Sequence, residues 1–145
     1  MVKDALGHVL CGATPESAQH FDDAVRALGL SYGDPIAALY KACLVSPRFK
    51  LAHLCKAWVL AIANDPALTD AARAILEGTV EFECNDRERA HELALRQAIA
   101  GNRMSASAIL DRHTILYPLD LLAHLCALYM DAFGGRFCLA SAFFR

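Results

Sequence analysis

The sequence lacks most of the local signatures that announce chemistry. It has no CxxC pair, no HExxH, no GxSxG elbow and no glycine-rich phosphate loop. It has only four lysines, Lys3, Lys41, Lys50 and Lys56, and the arginines are scattered, so nucleic-acid binding has no electrostatic footprint. No apolar run approaches the roughly 20 residues a bilayer span needs. The most apolar segment, Leu121 to Met130, stops at Asp131 and Gly134-Gly135. Met1-Val2-Lys3-Asp4 carries an acid and opens no long apolar stretch, unlike a secretory leader. These absences point to a cytoplasmic protein with no membrane contact.

What is present is a chain of 145 residues, 56% hydrophobic, with a formal net charge of −2. That length allows one domain or one short stack of repeats with a buried core. The six cysteines, Cys11, Cys43, Cys55, Cys84, Cys126 and Cys138, fall mostly inside apolar helical patterns rather than loops. They are expected as small, buried, reduced side chains.

The organising feature is a repeat. Leu51-Ala52-His53-Leu54-Cys55 returns as Leu122-Ala123-His124-Leu125-Cys126, an offset of 122 − 51 = 71. Slid by 71, residues 20–61 fall on 91–132, and His20, Ala27, Ala37, Leu39, Pro47 and Ala61 match as well as the five-residue block. A fixed period of this size marks stacked helical units, and 71 is close to two units of about 34 residues.

Helix punctuation follows the repeat. Residues 1–13 read as a short helix with Val2, Leu6, Val9 and Leu10 on one side. Thr14-Pro15, Asp34-Pro35 and Asn85-Asp86 read as helix starts. Asn64-Asp65-Pro66 is a break, after which a fourth helix begins near Thr69 or Asp70 and carries Val80 inward. In the fifth, Arg87 to Ala100, the inward stripe is Ala90, Leu93, Ala94 and Ile99, while Arg87-Glu88-Arg89 reads as a solvated face. Asp120 caps the seventh. The expected fold is all-α, an α-solenoid of antiparallel helix hairpins over residues 14–135, followed by an apolar tail, 136–145.

The spacing of Leu51, Leu54, Cys55 and Trp58, and of Leu122, Leu125, Cys126 and Tyr129, fits the tetratricopeptide cadence, with cysteine in the small-residue slot. From Thr14 to Gly135 the chain resembles the N-terminal part of the tetratricopeptide repeat protein 38-like family. The residues concerned are Asp34-Pro35, Ser46-Pro47-Arg48-Phe49 before Leu51-Ala52-His53, Arg87-Glu88-Arg89-Ala90-His91, and Tyr117-Pro118-Leu119-Asp120-Leu121-Leu122-Ala123. The resemblance implies a helical-repeat protein with a binding role and supplies no catalytic residues.

Function is therefore expected to be non-catalytic protein–protein or peptide interaction, with no cofactor and no metal. His53 and Cys55 are two apart on a helix and point about 200° apart, so they cannot chelate one ion. A histidine site would have to join His53, His91 and His124 from different helices. That is the weaker ligand-binding or enzymatic alternative. The other alternative is self-assembly into a homo-oligomer through the C-terminal end. The candidate interaction surface is His53, His91 and His124 together with Leu121, Leu125, Phe133, Phe137, Phe143 and Phe144.

Overall fold

A computed structural model of the protein describes the backbone of residues 1–133 and the side chains of residues 1–131. The described residues form seven helices: α1 (Pro15–Leu30), α2 (Pro35–Val45), α3 (Lys50–Ile62), α4 (Pro66–Gly78), α5 (Asp86–Ile99), α6 (Arg103–Leu116) and α7 (Leu121–Phe133). The all-α class holds. Phe137, Phe143, Phe144 and the rest of the tail lie outside the described residues.

The helix starts are written in the sequence. Thr14 and Ser17 form a reciprocal capping box at α1, and Asn85 and Glu88 form another at α5. Asp34 caps α2 through the Ala37 N–H, and Asp65 caps α4 through the Ala67 N–H. Pro15, Pro35 and Pro66 open their helices, where a missing N–H costs nothing. The Asp65 cap corrects the expected α4 start by about one turn. Val80 lies past its end and is exposed.

Residues 1–13 are not a helix. The Asp4 carboxylate accepts from the backbone N–H of Leu6 (3.0 Å) and His8 (2.9 Å), and Gly7 takes φ 90°. These local bonds compete with helical ones and turn the chain back, so that Lys3 bridges Val9 antiparallel. The returning strand then passes close to the turn before α3. A Cβ at Gly12 would collide with the Arg48 carbonyl. This N-terminal arm lies on α5, held by the Asn85 side-chain amide, which donates to the Val9 carbonyl at 2.9 Å.

The sequence repeat is a structural repeat. Adding 71 to α1, α2 and α3 gives 86–101, 106–116 and 121–133, which are α5, α6 and α7 within a turn. The first block (α1–α3) and the second (α5–α7) are joined by α4. Loops of a few residues make neighbouring helices antiparallel. Between the blocks α3 packs on α5, α7 packs on α1, and α3 packs on α7. Exchanging the blocks turns the first contact into the second and leaves the third unchanged, which is the contact pattern of a pseudo-twofold arrangement. The central helix, α3, buries Leu51, Leu54, Cys55, Ala57, Trp58 and Ala61. Large side chains of this kind stabilise by about 1.5–3 kcal/mol each.

The polar side of α5 departs from the apolar-stripe reading. Arg87, Glu88, His91 and Glu92 are buried beside Ala94 and Leu95, whereas Leu93 is half exposed. Glu92 pairs across the blocks with the buried Lys50 at 2.5 Å and also accepts from Arg96 at 3.1 Å. Burial alone would raise its carboxyl, but the hydrogen bonds and charges of Lys50 and Arg96 outweigh that and lower it. The solvated face expected at Arg87-Glu88-Arg89 is confined to Arg89.

Candidate functional site

The second block contains a buried polar hub centred on Asp120, at the start of α7. Asp120 is 0% exposed, and its Oδ1 accepts from the Ala123 N–H at 3.3 Å, the capping role expected of it. The same carboxylate also gathers side chains from two other helices. Arg87 of α5 donates from Nε to Oδ2 (2.9 Å) and from Nη2 to Oδ1 (3.2 Å). His91 Nε2 of α5 and His113 Nε2 of α6 both lie 2.9 Å from Oδ2. Burial would raise the Asp120 carboxyl, but the charge of His91 and the hydrogen bonds from His113, His91 and Arg87 hold it far below the usual carboxylate range.

Around that centre lies a ring of further contacts. Arg87 Nη2 also reaches Asp4 Oδ2 of the N-terminal arm at 3.2 Å. Asp4 in turn faces His8 Nδ1 at 3.4 Å. Glu88 closes its own capping box and accepts from the Cys11 N–H at 3.2 Å. Burial, followed by the hydrogen bond and charge of Glu88, pushes the Cys11 thiol up to about 12. Tyr117 stacks on His113 with ring centres 4.8 Å apart. The imidazoles of His91 and His113 meet edge to face at 5.5 Å. His91 is 0% and His113 5% exposed, so the hub is sealed from substrate-sized molecules.

The three histidines named from the sequence do not share a site. His53 Nε2 lies 2.9 Å from the Pro47 carbonyl, and His124 Nε2 lies 2.9 Å from the Pro118 carbonyl. These are the same bond 71 residues apart. Each ring holds the turn before its own helix. His53 also contacts Cys43 Sγ at 3.6 Å and the edge of Phe82. His91, whose offset partner His20 only approaches Glu16 at 4.0 Å, is the one that joins a cluster.

A second feature lies where the blocks meet. Leu28 of α1, Trp58, Val59 and Ile62 of α3, and Leu122, Leu125, Cys126 and Tyr129 of α7 line an apolar groove with a cavity of about 170 Å³. Leu125 and Leu121 pack toward Gly29 of α1, and Leu121 stays 40% exposed. Phe133 ends α7. Cys55 and Cys126 are both buried. Burial drives the first thiol up to about 12 and the second well above its ordinary value.

Arg87, His113 and Asp120 were not foreseen as a site. The available signal was Arg87 and His91 one turn apart on α5, with a capping aspartate at 120. What no local pattern could supply was that α5, α6 and the start of α7 converge. No protein-family model matches the chain, and comparison with curated proteins and with solved structures found no match.

Proposed function

We propose that the chain is a non-catalytic interaction module that holds an apolar helical segment of a partner protein in the groove between α1, α3 and α7. The observation that carries this reading is the groove itself: eight side chains from three helices, almost all apolar, drawn from both repeat blocks. The concave, apolar lining is what an amphipathic helix recognises through side chains at i, i+3 and i+4. The sealed hub supports a non-catalytic reading, since His91 and Asp120 are fully buried and His113 nearly so. We place the hairpins in the tetratricopeptide-like class, with the repeat protein 38-like resemblance as the family reading and the cytoplasm as the location. Among the described residues no helix is long and apolar enough to cross a membrane.

A second reading, self-association, is favoured by one observation. The α6–α7 turn leaves Ile115, Leu116 and Leu119 largely exposed, close in the chain to the exposed Leu121. Neighbouring apolar side chains of this kind are a common association surface.

A photo-crosslinking residue at Ile62, in the groove, compared with one at Arg73, on the outer side of α4, tests the proposal. The groove position should yield discrete adducts with another protein that the α4 position does not. Equal adducts at both positions would overturn it. Adducts of twice the chain mass at the groove would transfer the reading to self-association.

A further inference from the structure

Three features compete for a further role. The groove already belongs to the proposed function. The Lys50–Glu92 pair is closed on itself, with Lys50 Nζ also donating to the Thr79 carbonyl at 3.1 Å. The hub differs from both because its donors and its charge are out of balance.

One oxygen, Asp120 Oδ2, faces Arg87 Nε, His91 Nε2 and His113 Nε2, all at 2.9 Å, while Oδ1 faces Arg87 Nη2 and the Ala123 N–H. A carboxylate offers about four lone-pair sites, and here five donors would have to share them. The excess falls on Oδ2, toward which both imidazole Nε2 atoms converge. With both Nε2 atoms unprotonated, the lone pairs that converge there suit a cation better than a third hydrogen bond. The charges point the same way. Three buried carboxylates, Asp4, Glu88 and Asp120, stand against one permanent cation, Arg87, and three imidazoles, His8, His91 and His113, that count only when protonated. With neutral imidazoles two negative charges remain uncompensated in a water-poor interior, which is costly.

We propose that His91, His113 and Asp120 bind one divalent transition-metal ion of the zinc class, through the two Nε2 atoms and an Asp120 oxygen, as a structural clamp. The three ligand atoms lie within 4.8 Å of one another and come from α5, α6 and the start of α7. Two imidazoles and a carboxylate are a donor set that zinc accepts, with one position left for water. Ligand atoms about 2.0–2.1 Å from a tetrahedral zinc sit roughly 3.3 Å apart, so the two 2.9 Å separations would open slightly while the two Nε2 atoms, within 4.8 Å of each other, would settle to the same spacing. Arg87 and the Ala123 N–H then orient the ligating carboxylate by hydrogen bonds from outside. The ion's two charges cancel the two left over. The one cost is His91 Nδ1, which is buried without a hydrogen-bond partner and would carry the proton. The inference does not rest on the groove.

The test uses tag-free full-length protein, so that no affinity histidines interfere. Elemental analysis after purification should find about one zinc-class ion per chain. Stripping with a chelator should lower the melting temperature, added zinc should restore it, and cobalt(II) should give the visible absorption of a tetrahedral site. His113→Gln should cut the metal content by about tenfold or more, while His53→Gln leaves it unchanged. If His113→Gln does not fold, the chelator and cobalt readings on the unaltered chain decide. Metal-free protein that takes up neither zinc nor cobalt and melts at the same temperature with chelator would overturn the proposal. It would assign the missing charge to protonated His91 and His113.

Discussion

The two repeat blocks share a frame and differ in what fills it. The capping box Thr14/Ser17 lies 71 residues before Asn85/Glu88, and His53 grips the Pro47 carbonyl as His124 grips that of Pro118. Cys55 and Cys126 are buried alike. At the hub the blocks part. The positions of Arg87, His113 and Asp120 in the second block correspond to Glu16, Ala42 and Phe49 in the first. Phe49 is fully buried, gives α3 no side-chain cap, and packs on Phe21 at 5.5 Å. One block closes this corner with aromatic packing, the other with a polar network. The backbone frame therefore tolerates opposite interiors, and helix periodicity and capping, rather than core chemistry, fix it.

The inter-block contacts differ in the same way. At α3–α5, Lys50 meets Glu92. The equivalent residues at α7–α1 are Leu121 and Phe21, and there Leu121 approaches Gly29.

The largest expected effects come from the two versions of the corner. Asp120→Ala strands Arg87 and two histidines and should cost about 3–5 kcal/mol in urea unfolding. Phe49→Ala should cost a similar amount, about 3–5 kcal/mol, through its cavity. Only the Asp120 corner depends on pH. The folded Asp120 carboxyl is lowered, so its contribution is complete above the ordinary value of 3.8 and is lost as pH falls below it. Asp120→Asn should flatten that part of the acid slope, and Phe49→Ala should leave it intact. The measurement is unfolding free energy between neutral and acid pH.

Making the first inter-block contact resemble the second comes next. Glu92→Gln leaves Lys50 buried without its counter-charge and should cost about 3–5 kcal/mol. The double change Lys50→Leu with Glu92→Leu should recover most of that loss, because well-packed apolar residues replace buried pairs at little cost. A double variant less stable than Glu92→Gln would show that the ion pair does more than occupy the site.

Enlarging Cys55 or Cys126 to leucine should overpack equivalent places and cost about 1–3 kcal/mol each. Thiol labelling of the native chain should correspondingly be slow at both. The smallest effects belong to the two turn histidines. His53→Ala and His124→Ala each remove one hydrogen bond to a carbonyl and should cost about 0.5–1.5 kcal/mol. Chemical denaturation of the two should agree closely if the blocks are equivalent there.

Much of the fold was legible in the sequence. Proline and cap residues marked most helix starts, the 71-residue offset matches the helices of the two blocks, and LAHLC pointed to the burial of Cys55 and Cys126. The N-terminal arm was misread because Val2, Leu6, Val9 and Leu10 mimic a helical stripe, while the deciding bonds come from the Asp4 side chain. The α5 face was misread because burial was assigned by apolarity, and its buried residues are Arg87, Glu88, His91 and Glu92. Polar side chains bury only when partners arrive: Asp4 and Asp120 reach Arg87 from 83 and 33 residues away, and Lys50 reaches Glu92 from 42. The α1–α7 contact was equally hidden, since an open stack of repeats joins only neighbours.

That contact is the most direct test of the two-block arrangement. Nuclear Overhauser effects between the Gly29 α-protons and the methyl groups of Leu121 and Leu125 should be present, since a Cβ at Gly29 would lie 3.8 Å from one Leu125 methyl carbon and 3.9 Å from one of Leu121. Their presence alongside contacts from α3 to α5 supports two blocks closed on each other. A folded chain that shows the α3–α5 contacts but none between Gly29 and α7 would contradict it.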